Sequence, residues 1–217
     1  MSASRSAPRT LVLFVKEPVP GRVKTRLGRD MGMVASARWF RHQALRLARL
    51  MAGDARWRTV LAVAPDRAGL ESRVWPAHAP RWPQGRGDLG ARMARVFHGF
   101  PPGPVVIVGA DIPDIDAAVI ERAFRALGDH DAVFGPAEDG GYWLVGLRRL
   151  RATPPGFMRG VRWSSDHTLA DTALTLPAQW RIARIDTLPD IDTLDDLRAY
   201  RAARRRTSPL ARLAPLV

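Results

Sequence analysis

Residues 10–27 read TLVLFVKEPVPGRVKTRL. The first six are apolar or β-branched without interruption, the pattern of a strand buried on both faces of a parallel sheet. Lys16 ends the run, and Pro18, Pro20 and Gly21 carry the chain into a stiff loop. Helical spacing follows over 33–52, where Met33, Ala37, Phe40, Ala44, Leu47, Leu50 and Met51 fall on one side and arginines on the other. The same unit recurs down the chain. RTVLAVA (58–64), PVVIVGAD (104–111), DAVFGP (131–136), YWLVGL (142–147) and WRIARID (180–186) read as strands. Helices are expected over 67–74, 88–100, 116–128, 165–174 and 193–206. Strands alternating with helices predict the α/β class, a mostly parallel sheet in three layers with helices on both faces. One domain is expected over 10–204, with residues 1–9 disordered and 205–217 a basic tail.

The chain has 217 residues, 46% hydrophobic and 25% charged, enough for one such domain with its own core. It has no cysteine, which excludes disulfides and thiolate metal sites and suits a reducing compartment. The N-terminus lacks a signal-like apolar segment and no apolar run is long enough to span a bilayer, so a cytoplasmic protein is expected. The net charge of +13 is uneven: residues 1–60 carry +10, residues 198–217 carry +6, and residues 61–197 carry −3. Basic residues are not interleaved with aromatics as in a base-stacking groove, which argues against nucleic acid as the partner. The chain has 34 basic residues but only two lysines, Lys16 and Lys24, and both lie in the first loop.

In open α/β sheets ligands bind beyond the carboxyl ends of the strands, and several unusual segments fall there. The first loop places Lys16, Arg22, Lys24 and Arg26 within eleven residues, a set of charges suited to a phosphate chain. A flexible ammonium does what a planar guanidinium cannot, which gives lysine a reason to persist here; solvated surface charge is the plain alternative. GRVKT is not a Walker loop, since it lacks the first glycine and the spacing. In VVIVGADIP (105–113) a strand ends on Asp111, where a carboxylate can hold Mg²⁺ against substrate phosphates. Asp114 is assigned to capping the next helix. PDIDTLDDL (189–197) holds four aspartates; Thr193 and Asp196 have capping-box spacing, and Asp192 is left as a second metal carboxylate. In GPAEDGGYWLVGL (135–147), Asp139–Gly140 is a hairpin turn by default, while Gly141 and Tyr142 also suit the approach and stacking of a ligand. GRGDLG (85–90) imitates a dinucleotide fingerprint, but two prolines precede it where a buried strand should be. No histidine pairing or nucleophile elbow supports zinc or serine-hydrolase chemistry.

In this order, FVKEPVPGRVKTRL, QGRGDLGARM, GADIP, GPAEDGGYWLVGL and DIDTLDDL resemble the motifs of small bacterial GT-A-fold transferases. The resemblance spans about residues 10–200. It is nearest to the radical-SAM/selenodomain-associated transferases, or arsenosugar-biosynthesis-type glycosyltransferases, with phospholactate guanylyltransferases and molybdenum-cofactor nucleotidyltransferases further off. It implies a three-layer, Rossmann-like GT-A fold of the nucleotide-diphospho-sugar transferase superfamily, with Mg²⁺ or Mn²⁺ held by Asp111 and Asp192. Lys16, Pro20, Gly21, Lys24 and Arg26 would meet phosphates, Gln84, Gly85, Asp88 and Gly90 would lie by the nucleotide, and Gly140, Gly141 and Tyr142 would complete the site. WSSDHTL (163–169) departs from the pattern at Ser165, where threonine is expected.

Two reactions fit these residues. Glycosyl transfer takes a nucleotide sugar and a small-molecule acceptor and can use a carboxylate base, for which Asp139 is the candidate, with Lys24 as the catalytic cation. Nucleotidyl transfer takes a nucleoside triphosphate, releases pyrophosphate and needs a strongly cationic loop. The span of the resemblance favours the first and the loop's charge the second. A basic nucleic-acid-binding protein is the third reading.

Overall fold

Strand β1 (Thr10–Lys16) shows why an unbroken apolar run is required. Side chains alternate between faces, so Leu11, Leu13 and Val15 join one core while Val12 joins another on the opposite side. The first core is closed by Phe40, Ala44 and Leu47 of α2 (Met33–Ala52) and by Ile120, Phe124 and Leu127 of α5 (Ala117–Asp129). The second is closed by Met93, Val96 and Phe97 of α4 (Leu89–Gly99), with Phe157 and Leu169. Two cores divided by one sheet make the three layers.

The computed structural model describes residues 7–150 and 152–207. The other strands are β2 (Arg58–Ala64), β3 (Arg81–Pro83), β4 (Val105–Gly109), β5 (Ala132–Pro136), β6 (Tyr142–Leu147) and β7 (Ile182–Arg184). The remaining helices are α1 (Thr25–Met31), α3 (Asp66–Glu71), α6 (Thr168–Leu174) and α7 (Leu194–Thr207). The seven strands are ordered β3-β2-β1-β4-β6-β5-β7. β1 lies parallel between β2 and β4, with Leu13 opposite Leu61 and Val108. β6 alone reverses, antiparallel to both β4 and β5. The fold is thus the Rossmann-like α/β sheet that the alternation predicts, mostly parallel with helices on both faces. Among the described residues no helix is long and apolar enough to cross a membrane.

Several expectations need correcting. Residues 1–6 and 208–217 of the expected tails lie outside the described residues, but Arg9 is tied down, its guanidinium 3.1 Å from Glu121. α7 spans Leu194–Thr207, shifted by one residue from the expected 193–206. α3 stops at Glu71 instead of running to 74. Asp116, not Asp114, caps α5 by accepting from the Val119 N–H at 2.8 Å, while Asp114 accepts from the Tyr200 hydroxyl. β3 was not expected, because RWP carries a proline; an edge strand tolerates it, and GRGDLG therefore follows a strand, though not a central one. α1 also escaped notice. Its cap, Lys24, makes no side-chain capping bond to the helix, which is held by packing instead, through Leu27 against Ile191 and Leu197.

Candidate active site

Because β1, β2 and β4 are parallel, the loops that follow them emerge on one edge of the sheet. Val19 accepts from the Arg22 N–H at 3.0 Å, and Gly21 between them has φ 77°, so Pro20–Gly21 form a tight turn that sends the chain back over β1. Lys24 follows in the left-handed region, at φ 44° and ψ 50°. That conformation is costly for a residue with a side chain, and here it joins the turn to α1.

The Lys24 ammonium lies 2.8 Å from an Asp111 oxygen and 2.7 Å from an Asp192 oxygen. Its side chain is 6% exposed, whereas the carboxylates remain 36% and 38% exposed on their open sides. Burial disfavours the charged lysine, but Asp111 and Asp192 outweigh it by charge and hydrogen bonding and raise its pKa above the ordinary value. Arg26 adds a looser contact to Asp192 at 3.4 Å. Asp192 itself is positioned by the capping box of α7, in which Asp196 accepts from Thr193 N–H at 2.7 Å and Thr193 Oγ1 accepts from Asp196 N–H at 3.2 Å. Two carboxylates from distant parts of the chain thus converge on one point. That donor set fits Mg²⁺ or Mn²⁺, which are commonly held by one or two carboxylates together with substrate phosphates.

A cleft of about 690 Å³ opens beside this cluster. Lys16, Lys24, Arg26, Gln84, Asp88, Asp111 and Asp192 all line it, so seven of the expected residues meet there, joined by Arg22 and Arg92. Two of them also serve the fold. Gln84 donates to Val15 and Ala62 carbonyls and accepts from Arg92, locking the ends of β1 and β2. Asp88 caps α4 through the Ala91 N–H. Gly85 lines a neighbouring cavity, Gly90 lies beneath the Trp163 ring, and Pro20 and Gly21 shape the turn without lining the cleft.

A second cavity, about 240 Å³, lies on the other side of Asp111. Asp139, Gly141 and Tyr142 line it, together with Asp190, Trp163 and Ser164. The Asp139 carboxylate accepts from Gly141 N–H at 2.9 Å and closes the hairpin turn between β5 and β6. The space beside Gly140 is filled by the backbone of Asp166, which docks the turn on the 163–168 loop. Tyr142 packs edge-on against Phe134, its ring centroid 5.3 Å away, and burial pushes its phenol above its ordinary range. Burial, followed by the Asp192 charge, pushes the Asp190 carboxyl up to about 6.

Asp190, Arg92, Trp163 and Ser164 were not singled out as site residues. Asp190 sits in the quoted PDIDTLDDL segment, two residues before Asp192, so alternation along an extended stretch was a usable signal. Arg92 lies one helical turn beyond Asp88. Trp163 and Ser164 stood in the WSSDHTL departure and line both cavities.

The fold has relatives. Residues 47–165 match the family described as "Uncharacterized protein conserved in bacteria (DUF2064)", a stretch that includes Asp111 and Asp139. A provisionally assigned nucleotide-diphospho-sugar transferase from Desulfovibrio desulfuricans G20 shares 28% identity at TM-score 0.76, over 93% of this chain and 91% of its own. The fold also matches 4-diphosphocytidyl-2C-methyl-D-erythritol synthase from Anaerococcus prevotii DSM 20548, at 8% identity and TM-score 0.60 over 92% and 96% of the two chains. A Mycobacterium tuberculosis H37Rv protein crystallised with manganese shares it at 17% identity and TM-score 0.52 over 89% and 97%. No curated protein matches. With more than half its length matched, and with the sheet shared with the Desulfovibrio protein, the chain belongs to the bacterial DUF2064 family within the nucleotide-diphospho-sugar transferase fold.

Proposed function

We propose that the protein is a divalent-metal-dependent glycosyltransferase that takes a nucleotide sugar and a small-molecule acceptor in the cytoplasm. The observation that carries this reading is the convergence of Asp111 and Asp192 on the Lys24 ammonium, at the carboxyl edge of the sheet and beside a cleft lined by five cations. A bound Mg²⁺ or Mn²⁺, held by these two aspartates, would neutralise charge building on the departing diphosphate. Lys16, Arg22, Arg26 and Arg92 hold the phosphates from the walls. Lys24, on its flexible stem, moves its charge from the carboxylates toward the phosphate oxygens as they leave. Asp139 receives the acceptor's proton. The resemblance to the arsenosugar-type glycosyltransferases and the likeness to the Desulfovibrio protein support the same choice.

Nucleotidyl transfer is the second reading, favoured by the number of cations in the larger cleft. A donor screen separates the two. Purified protein with Mg²⁺ or Mn²⁺ meets nucleotide sugars and nucleoside triphosphates separately, each with a pool of small-molecule acceptors. Nucleoside diphosphate released from one nucleotide sugar is the expected result, and pyrophosphate from one triphosphate would reverse the ranking. Asp111→Ala and Asp192→Ala should each lower turnover by about a hundredfold or more. Wild-type turnover in either variant would remove the metal assignment.

A further inference from the structure

Resting on the transferase reading, we propose that the smaller cavity is the acceptor pocket and that it admits a hydroxyl-bearing molecule that is neutral or cationic, and rejects an anionic one. The two cavities share Phe14, Leu89, Gly109, Asp111, Trp163 and Ser164 as a common wall, so a group leaving one can be taken up in the other across Asp111. Their linings have opposite charge. The larger cleft carries Lys16, Arg22, Lys24, Arg26 and Arg92. The smaller carries Asp111, Asp139 and Asp190 and, among the described residues, no lysine or arginine.

Most of the rest of its lining is apolar, including Met93, Ile107, Trp143 and Val145, so it offers contact to a hydrocarbon or ring face. A carboxylate or phosphate in this space would face the like charges of Asp139 and Asp190, with no cation in the lining to neutralise it, since Lys24 is already paired with Asp111. A hydroxyl faces no such penalty, and an ammonium is attracted.

This charge asymmetry also bears on the reaction. Nucleotidyl transfer to a phosphate acceptor requires an anion on the acceptor side. In glycosyl transfer the acceptor oxygen forms a bond to the sugar's anomeric carbon. The bond from that carbon to the diphosphate breaks, its electron pair leaves with the diphosphate, and the hydroxyl proton passes to the Asp139 carboxylate. Only the second reaction suits the lining.

The test uses three probes of one shape: benzyl alcohol, para-(aminomethyl)benzyl alcohol and para-(hydroxymethyl)benzoate. Binding to the full chain is measured by saturation-transfer NMR with Mg²⁺ and saturating pyrophosphate, which occupies the cationic cleft. The neutral and cationic probes should bind, with the benzoate about tenfold weaker or worse. In the double variant Asp139→Asn, Asp190→Asn, the gap should shrink to about threefold or less. Equal or tighter binding of the benzoate to the wild-type chain would overturn the proposal. So would failure of all three probes to bind while pyrophosphate still does. If pyrophosphate itself fails to bind, it is the transferase reading that falls, and the order of the three probes still judges the lining.

Discussion

Lys24 concentrates three constraints in one side chain: a left-handed backbone, a nearly buried stem and two carboxylates within 2.8 Å. A guanidinium is wider and planar, and it can satisfy two carboxylates only by pushing them apart. Lys24→Arg should therefore lower kcat by about tenfold to a hundredfold with the melting temperature nearly unchanged, as steady-state kinetics and thermal denaturation would show. Equal turnover would leave the lysine a structural role only, as the buried partner of Asp111 and Asp192. This residue also shows what the sequence could and could not convey. The rarity of lysine marked positions 16 and 24 as special, and chemistry suggested phosphate. Nothing in local spacing could show that residue 24 lies against residues 111 and 192, because those contacts form only when the sheet is assembled.

At the level of elements, regular periodicity was readable and packing-driven structure was not. α2 and β2 match their expected limits to the residue, since each carries its full apolar pattern locally. α1 and β3 were invisible, because one is held by remote residues 191 and 197 and the other is a short edge strand containing proline. That Asp111 follows a strand end was legible, whereas its convergence with Asp192 and the positions of Asp190 and Trp163 required the third dimension. The 163–168 loop, which walls both cavities, is pinned to α6 by Arg162. Its guanidinium bonds both oxygens of Asp171, at 2.8 and 2.9 Å. Side-chain hydrogen bonds from Arg162 hold the Asp171 carboxyl down at about 2, from an ordinary 3.8. A depressed folded-state pKa means that the pair's contribution is complete above about 3.8 and disappears as pH falls through about 2. NMR titration of Asp171 should give a midpoint near 2, and a midpoint near 4 would show the loop free of its clamp.

For the molecule as a whole, charge is the property most easily misread. A net charge of +13 invites a nucleic-acid partner. The structure instead directs Lys16, Arg22, Lys24, Arg26 and Arg92 into a single cleft and pairs Arg9, Arg122 and Arg162 with carboxylates elsewhere. Fluorescence anisotropy with a duplex oligonucleotide at physiological salt should give only non-specific affinity, with Kd no tighter than about a micromolar. It should be indifferent to sequence and unaltered by Asp111→Asn. Tight, sequence-selective binding would restore the third reading.

Lys24 and Asp192 stand 168 positions apart in the chain yet share one hydrogen bond. During synthesis the ribosome delivers the lysine on the order of ten seconds or more before the second aspartate. The α1 helix meanwhile lacks Ile191 and Leu197, the residues it packs against. A nascent chain can therefore assemble its central strands with the first loop still unanchored, and that loop is fixed only when the last helix docks. Incomplete translation products would then carry the cationic loop without Asp192, so a truncated chain lacks one of the two carboxylates that hold Lys24 in place.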